Sequence, residues 1–160
     1  MPTHRTIAVI GSGEASSAAC ELAFFTGREI ALRGATLLCG GRRGVMEAAA
    51  RGAQSAGGVT IGILPGYDRS DANPYIEFVI ATGMGQARNA IIVASSDALI
   101  ALEGEGGTLS EIGLAIKLGR PVIALRSWAG IADIAHADDP KSAVSLAFEM
   151  VENAAVARAR

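Results

Sequence analysis

The feature that most narrows the fold of this chain is an alternation. Short apolar runs rich in β-branched residues take turns with longer stretches of helical pattern along most of the sequence. The strand candidates are Thr6–Ile10, Thr36–Cys39, Val59–Leu64, Glu77–Ala81, Ala98–Leu102 and Val122–Leu125. Each is nearly continuous in its hydrophobicity, as expected of strands covered on both faces. Helix candidates lie between them at Ser16–Arg33, Val45–Ala56, Gln86–Ala94 and Leu109–Leu118, and a last one follows at Ser142–Ala157. Gly34, Gly57-Gly58 and Gly119 mark helix ends, the last with Pro121 shortly after it. Such alternation implies right-handed crossovers and parallel strand pairing. The expectation is an α/β protein: one Rossmann-like domain over residues 1–160, with a mostly parallel sheet flanked by helices on both faces.

Composition removes other classes. With 50% hydrophobic and 19% charged residues the chain is too apolar to be disordered. It carries 20 glycines beside only 4% aromatic residues. The glycines have no three-residue period, which excludes collagen; they fall at the ends of apolar runs, where backbone approaches something closely. Fourteen basic against 16 acidic residues give a net charge of −2, and no Lys/Arg run exceeds two. On that ground nucleic acid is not expected as a partner. No apolar stretch reaches the ~18 residues of a membrane span, and Met1–Arg5 leads directly into a strand-like run, so neither a membrane nor a signal peptide is expected and the location is read as cytoplasmic. Cys20 and Cys39 lack metal-ligand spacing and read as small buried residues; no metal is expected.

Ligands of open α/β sheets bind beyond the carboxyl ends of the strands, and three of those ends carry glycine. The first is Gly11-Ser12-Gly13-Glu14-Ala15-Ser16. A dinucleotide site also wants a carboxylate about 20 positions on, at the end of the second strand, to hold a ribose diol. That strand ends Cys39-Gly40-Gly41-Arg42-Arg43, which disfavours NAD and leaves the arginines as partners for an NADP 2′-phosphate. The second junction is Gly40-Gly41-Arg42-Arg43-Gly44-Val45-Met46. Glycines there either cradle an anion at a helix N-terminus or simply make a tight turn. The third is Glu103-Gly104-Glu105-Gly106-Gly107-Thr108-Leu109-Ser110-Glu111. Thr108 is placed to cap a helix, and the T-x-x-E spacing gives Glu111 a capping-box role. No Lys follows the glycines, so this is not a Walker A loop. Arg88, in Thr82-Gly83-Met84-Gly85-Gln86-Ala87-Arg88-Asn89, opens a helix where the dipole disfavours a cation; it points either to a ligand or to a neighbouring carboxylate. The segments Gly66–Pro74 and Ser127–Asp139 read as connections at the same edge that either cover a site or lie on the surface.

Together, Gly40-Gly41-x-x-Gly44-x-Met46, Met84-x-x-x-Arg88-Asn89 and Gly104-x-x-Gly107-Thr108-x-x-Glu111 resemble the superfamily of the Lonely guy phosphoribohydrolases, often labelled lysine decarboxylase-like. Spacing and length are closer still to its molybdenum-cofactor carrier-like branch. The resemblance runs from Thr6 to Arg126. It implies two activities. In the carrier branch the protein binds a phosphorylated pterin or a nucleotide without chemistry. Gly11, Ser12, Gly13, Gly40, Gly41, Gly44, Gly107 and Thr108 then line the site, Arg88 serves as anion partner, and Trp128 either stacks on a heterocycle or is plain packing. In the phosphoribohydrolases a nucleoside 5′-monophosphate is cleaved to free base and ribose 5-phosphate, with Arg88 and Glu111 as the catalytic pair. A carboxylate there would stabilise the positive charge that develops on the ribose ring.

The chain departs from the phosphoribohydrolase motif in three places. Asn89 stands where a second cation is expected, Glu103 replaces a proline, and Glu105 replaces a glycine. An inward-facing Glu105 would repel a phosphate by roughly 4 kcal/mol at ~4 Å for an effective dielectric of ~20. The expectation is therefore a binding or carrier protein for a phosphate-bearing ligand, a nucleotide monophosphate or a molybdopterin, with no further cofactor required. Phosphoribohydrolase is the alternative and nucleotide sensor the third reading. The resemblance also implies a homo-oligomer, dimer or tetramer.

Overall fold

Ile7 and Val9 belong to one buried cluster, Ala8 and Ile10 to the other. In this computed structural model, which describes residues 4–159, β1 (Thr6–Ile10) is thus a strand covered on both faces, as its unbroken apolar run requires. The other strands are β2 (Thr36–Cys39), β3 (Thr60–Leu64), β4 (Phe78–Ala81), β5 (Ala98–Ala101), β6 (Val122–Leu125) and β7 (Ala135–Ala137). They form one sheet in the order β4-β3-β2-β1-β5-β6-β7. Every pairing is parallel, with Ala8 opposite Leu99 and Leu38 opposite Ile61 in the centre.

Helices α1 (Ser17–Leu32), α2 (Val45–Ser55) and α5 (Pro140–Arg158) cover one face, through Ala23, Ile30, Ala49, Ala53, Val144 and Ala147. On the other face lie α3 (Asn89–Ser95) and α4 (Gly106–Lys117), through Ile92, Val93, Ile112 and Ala115. From β1 the chain winds outward to β4, then returns to place β5 on the other side of β1. β1 and β5 therefore flank the switch point, where such sheets open a ligand crevice beyond their carboxyl ends.

Three local readings are corrected. Ser127–Asp139 is not all loop, since it contains β7; Ala-His-Ala is too short and too poor in strand formers to announce itself. The helix expected from Gln86 begins as a 3₁₀ turn, Gly85–Arg88, and becomes α3 only at Asn89. The helix expected from Leu109 starts at Gly106. At α5 the start is set by Asp139, whose carboxylate accepts the Ser142 N–H at 2.9 Å, with Pro140 following it.

The α1–α2 pair explains part of the glycine content. A methyl built on Gly27 would stand 1.9 Å from the Ala49 carbonyl oxygen, and one on Gly52 would stand 1.8 Å from that of Phe24. The helices touch backbone to backbone. Exposed Gly113 in α4, by contrast, has nothing within 4 Å of such a methyl. Gly52→Ala is therefore expected to cost about 3 kcal/mol through overpacking. Gly113→Ala should stabilise by about 0.5–1 kcal/mol, through helix propensity alone. Urea unfolding of the two variants checks the contrast; equal effects would mean that the helix crossing does not need its glycine.

Candidate functional site

The three glycine junctions meet in a cleft of about 980 Å³ at the carboxyl edge, and each junction spends its glycines differently. At the first, a methyl on Gly11 would collide with Val45 at 2.8 Å, so this glycine lets the start of α2 press onto β1. Val45 N–H donates to the Ser12 carbonyl at 3.0 Å, and Ser12 N–H donates to the Glu103 carbonyl at 2.8 Å. The Glu103 carboxylate accepts from both the Ser16 N–H and the Ser16 hydroxyl, and Ser16 Oγ in turn accepts the Ala19 N–H at 3.1 Å as the cap of α1. An internal carboxylate thus sits where a Rossmann protein would place a ligand phosphate.

At the second junction Gly41 and Gly44 have φ of +74° and +64°, a region that favours glycine. A methyl on Gly44 would also stand 2.3 Å from the Ser12 carbonyl oxygen. Both residues stay out of the cleft wall. Gly40 does line the cleft, and a methyl there would come within 2.7 Å of Arg88 Nη2. The turn is fastened by buried Asn73, whose Nδ2 donates to the Arg42 carbonyl at 2.7 Å and whose N–H donates to that of Gly41 at 2.9 Å. Through Asn73, the Gly66–Pro74 segment becomes a wall of the cleft.

At the third junction the early start of α4 overturns the capping reading. Thr108 and Glu111 lie inside the helix; the residue before it is Glu105, whose side chain makes no cap bond. Thr108 packs beneath the chain, where a methyl on Gly104 would meet its Oγ1 at 2.2 Å. Gly106 and Gly107 are exposed, with nothing within 4 Å of a methyl on either. The first amides of α4 therefore open outward, and the helix dipole reinforces them. Glu105 is exposed at the cleft wall, where solvent screens its charge.

Glu111 is free of any capping role and is only 6% exposed. Burial pushes its carboxyl up to about 7, against a smaller opposing pull from Arg88. Arg88 is itself only 8% exposed. Burial lowers its pKa, partly offset by Glu111, and Arg42 lowers it further; a guanidinium nonetheless keeps its charge. Its Nη1 donates to Asn89 Oδ1, and Asn89 Nδ2 reaches Ser110 Oγ at 3.3 Å and the Gly107 carbonyl at 3.5 Å. Arg88 Nε is buried without a hydrogen-bond partner. Cys39, beside the pair, has its thiol pushed up to about 11 by burial, so at neutral pH it is no nucleophile.

The cleft thus gathers Gly11, Ser12, Gly13, Gly40, Arg88, Gly107, Thr108 and Glu111 from the sequence expectations, and leaves Gly41 and Gly44 behind its wall. It adds Arg42, Arg43, Asn73 and Asn89. The Arg-Arg pair and the departure at position 89 were visible in the sequence, but the contact that recruits Asn73 depends on the fold. Trp128 is not part of the wall; its Nε1 donates to the Leu102 carbonyl at 2.7 Å. Carboxylates of Glu14, Glu47, Asp71 and Glu105 also border the cleft, all at least partly open to solvent, whereas Arg88 lies buried. Among the described residues no cluster of His, Cys, Asp and Glu could hold a metal ion, and no helix is long and apolar enough to cross a membrane.

The burial of Glu111 has a stability signature. Its carboxyl ionises near 4.5 in the unfolded chain and near 7 in the folded one. Between those values only the native state holds the proton, so stability falls as pH rises through this window and is flat above it. Glu111→Gln should match the wild type near pH 4 and exceed it by about 3 kcal/mol at pH 8. Urea unfolding across the pH range checks this; parallel profiles would remove the buried acid from the account.

Comparison with known proteins agrees with the resemblance in the motifs. A protein of Archaeoglobus fulgidus is 44% identical over 139 residues, covering 87% of this chain and 91% of its own. The molybdenum cofactor binding protein of the phototrophic bacterium Rippkaea orientalis superposes with a TM-score of 0.90 at 38% identity, over 94% of this chain and 99% of that one. The molybdenum cofactor carrier protein of Chlamydomonas reinhardtii does so with a TM-score of 0.84 at 34% identity, over 92% and 99%. The fold extends to DNA processing protein A of Helicobacter pylori, described as binding single-stranded DNA, with a TM-score of 0.70 at 19% identity, over 91% and 80%. That likeness corrects the exclusion of nucleic acid: net charge is a global sum, whereas phosphate contacts read local surface, so a value of −2 does not separate this fold from a DNA-binding one. Residues 4–155 match the SLOG cluster4 family, and the chain belongs to it.

Proposed function

We propose that this protein binds and hands on a phosphate-bearing small ligand, a molybdopterin in the first place, without transforming it. The observation that carries the reading is Arg88: a buried guanidinium with an unpartnered Nε, tied through Asn89 to the first turn of α4. Such a group is costly to bury unless an anion joins it. The open amides of Gly106, Gly107 and Thr108 supply the complementary donors, and the space in front of the two glycines admits a phosphate. The similarity to molybdenum cofactor binding and carrier proteins supports the choice of cargo. Gly11, Ser12, Gly13 and Gly40 then form the floor beneath the rest of the ligand. Work in the cytoplasm fits two free cysteines.

A second reading, phosphoribohydrolase, has one observation in its favour: Glu111 shares the cleft with Arg88. A hydrolase needs the carboxylate form to stabilise a positive ribose ring. A carrier needs the neutral form, because an ionised Glu111 repels phosphate. The acid titrates near 7, so the two readings have opposite signs. For the carrier, affinity for a phosphate monoester falls as pH rises through 7, and Glu111→Gln abolishes the fall. For the hydrolase, base release rises through the same range, and Glu111→Gln abolishes the release. Incubation with a panel of nucleoside 5′-monophosphates at pH 6 and 8, read by chromatography, is expected to yield no free base. Calorimetric titration with ribose 5-phosphate is expected to show the weakening above pH 7, and the protein as purified should release a pterin fluorophore on denaturation. Base release that depends on Glu111 would overturn the carrier reading.

A further inference from the structure

We propose that Trp128 is a positioning residue for the cleft. Its indole N–H takes a carbonyl that the end of the β1–β5 ladder skips, and so holds β5 in an advanced register that keeps Glu103 on the start of α1 and sets the first turn of α4 in place. The effect on phosphate binding rests on the carrier reading; the register itself does not.

Ile10 faces Ala101 in the parallel pairing of β1 and β5, and the Leu102 N–H donates to the Ile10 carbonyl at 2.9 Å. A regular parallel ladder continues by sending the Ser12 N–H back to the Leu102 carbonyl. Here the Ser12 N–H goes one residue further, to the Glu103 carbonyl at 2.8 Å. The Leu102 carbonyl is thus left out of the ladder, in a residue only 1% exposed. A buried carbonyl without a donor is costly. Trp128 Nε1 supplies the donor at 2.7 Å. The one-residue advance carries Glu103 to Ser16, where its carboxylate accepts from both the N–H and the hydroxyl. Glu105 and the first turn of α4 follow directly.

The loop that carries Trp128 is bent to match. Arg126 and Trp128 have φ of +49° and +56°, and left-handed backbone at residues this bulky persists only where the surroundings hold it. Past β6 the Arg126 N–H donates to the Ala137 carbonyl at 3.1 Å and its Nε to the Asp138 carbonyl at 2.6 Å, which draws this residue toward β7. The chain then turns back over β5. Ser127 Oγ donates to the Ala101 carbonyl at 3.0 Å, and Trp128 to that of Leu102. Two successive side chains thereby hold two successive carbonyls at the end of the strand. The indole packs on the buried cluster beneath α3 and α4, and the Ile131 N–H closes the turn on the Trp128 carbonyl at 3.1 Å. Packing of that kind asks for an aromatic ring; the skipped carbonyl asks for the N–H.

The variant W128F keeps an aromatic ring and loses the N–H. The Leu102 carbonyl then recaptures the Ser12 N–H or stays unpaired, and in both cases Glu103 withdraws from Ser16. In NMR spectra of the full chain the Ser16 amide proton, bonded to a carboxylate in the wild type, should move upfield in W128F and exchange with solvent about tenfold faster. Affinity for ribose 5-phosphate, titrated calorimetrically, should fall about tenfold, the measure of one lost hydrogen bond. Circular dichroism verifies folding. Trp128 is the single tryptophan of the chain, so its benzothiophene analogue can be placed there alone; it deletes the N–H with the ring shape kept, and serves if W128F does not fold. An unchanged Ser16 amide would overturn the proposal, with or without an effect on the ligand. A displaced Ser16 amide beside undiminished ribose 5-phosphate affinity would also overturn it, leaving Trp128 a purely structural role. Failure of the wild type to bind ribose 5-phosphate would sink the carrier reading instead, and the Ser16 amide would then decide the register by itself.

Discussion

Backbone against backbone, with no side chain between, is the contact on which this molecule depends. Gly27 and Gly52 let α1 and α2 cross at main-chain distance. Gly41 rests on Gly62 of β3, and Gly44 rests on the Ser12 carbonyl. The consequence reaches the cleft: with α2 pressed this close to β1, the second junction comes to lie beside the first. Gly40 adds the last element by leaving room for a guanidinium on the floor. A chain with 20 glycines and few aromatic residues builds its interior from close approach rather than bulk.

Local pattern carries far in such a fold. Strands covered on both faces read as unbroken apolar runs, and Thr6–Ile10, Thr36–Cys39 and Val122–Leu125 begin and end where the pattern does. What escaped has a common cause. β7 is held by pairing with β6 and by the side chains around it, not by the strand preference of Ala-His-Ala. The start of α4 escaped because a capping box is a strong local signal, yet Gly106 and Gly107 continue the helix ahead of it. Of the site, the glycine junctions, Arg88 and Glu111 were legible as motifs. Asn73 was not: it lies in a polar loop with no pattern, and only the folded chain brings it against Gly41 and Arg42. Nor does a motif separate Gly41 and Gly44, which serve the backbone, from Gly40 and Gly107, which face the cleft.

The helices α1, α2 and α4 begin near this cleft, and the chain treats them differently. α1 is closed by a carboxylate of the protein's own, Glu103, bonded to Ser16. α2 and α4 have no side-chain cap. A helix end left without partners in the protein is a demand for partners from outside, and the buried Arg88 adds a positive charge to the same demand. The exposed carboxylates at the border do not cancel it, because solvent weakens them more than it weakens a desolvated guanidinium.

The departures from the phosphoribohydrolase pattern fit together on this ground. Glu103, where a proline was expected, binds the α1 start and removes it from use. Asn89, where a second cation was expected, accepts a hydrogen bond from Arg88 Nη1 and ties that side chain to α4. A lysine there would remove the Oδ1 acceptor that Arg88 uses and would set a like charge beside it. Glu105, where a glycine was expected, sits at the exposed start of the helix and leaves the amides behind it clear. Of the three, Asn89 is the one that fixes Arg88 directly. A fixed guanidinium, a largely neutral Glu111 below pH 7 and open helix amides hold an anion well. Burial that raises the Glu111 pKa to about 7 leaves the carboxylate form, which a developing cation requires, to the pH range above that value.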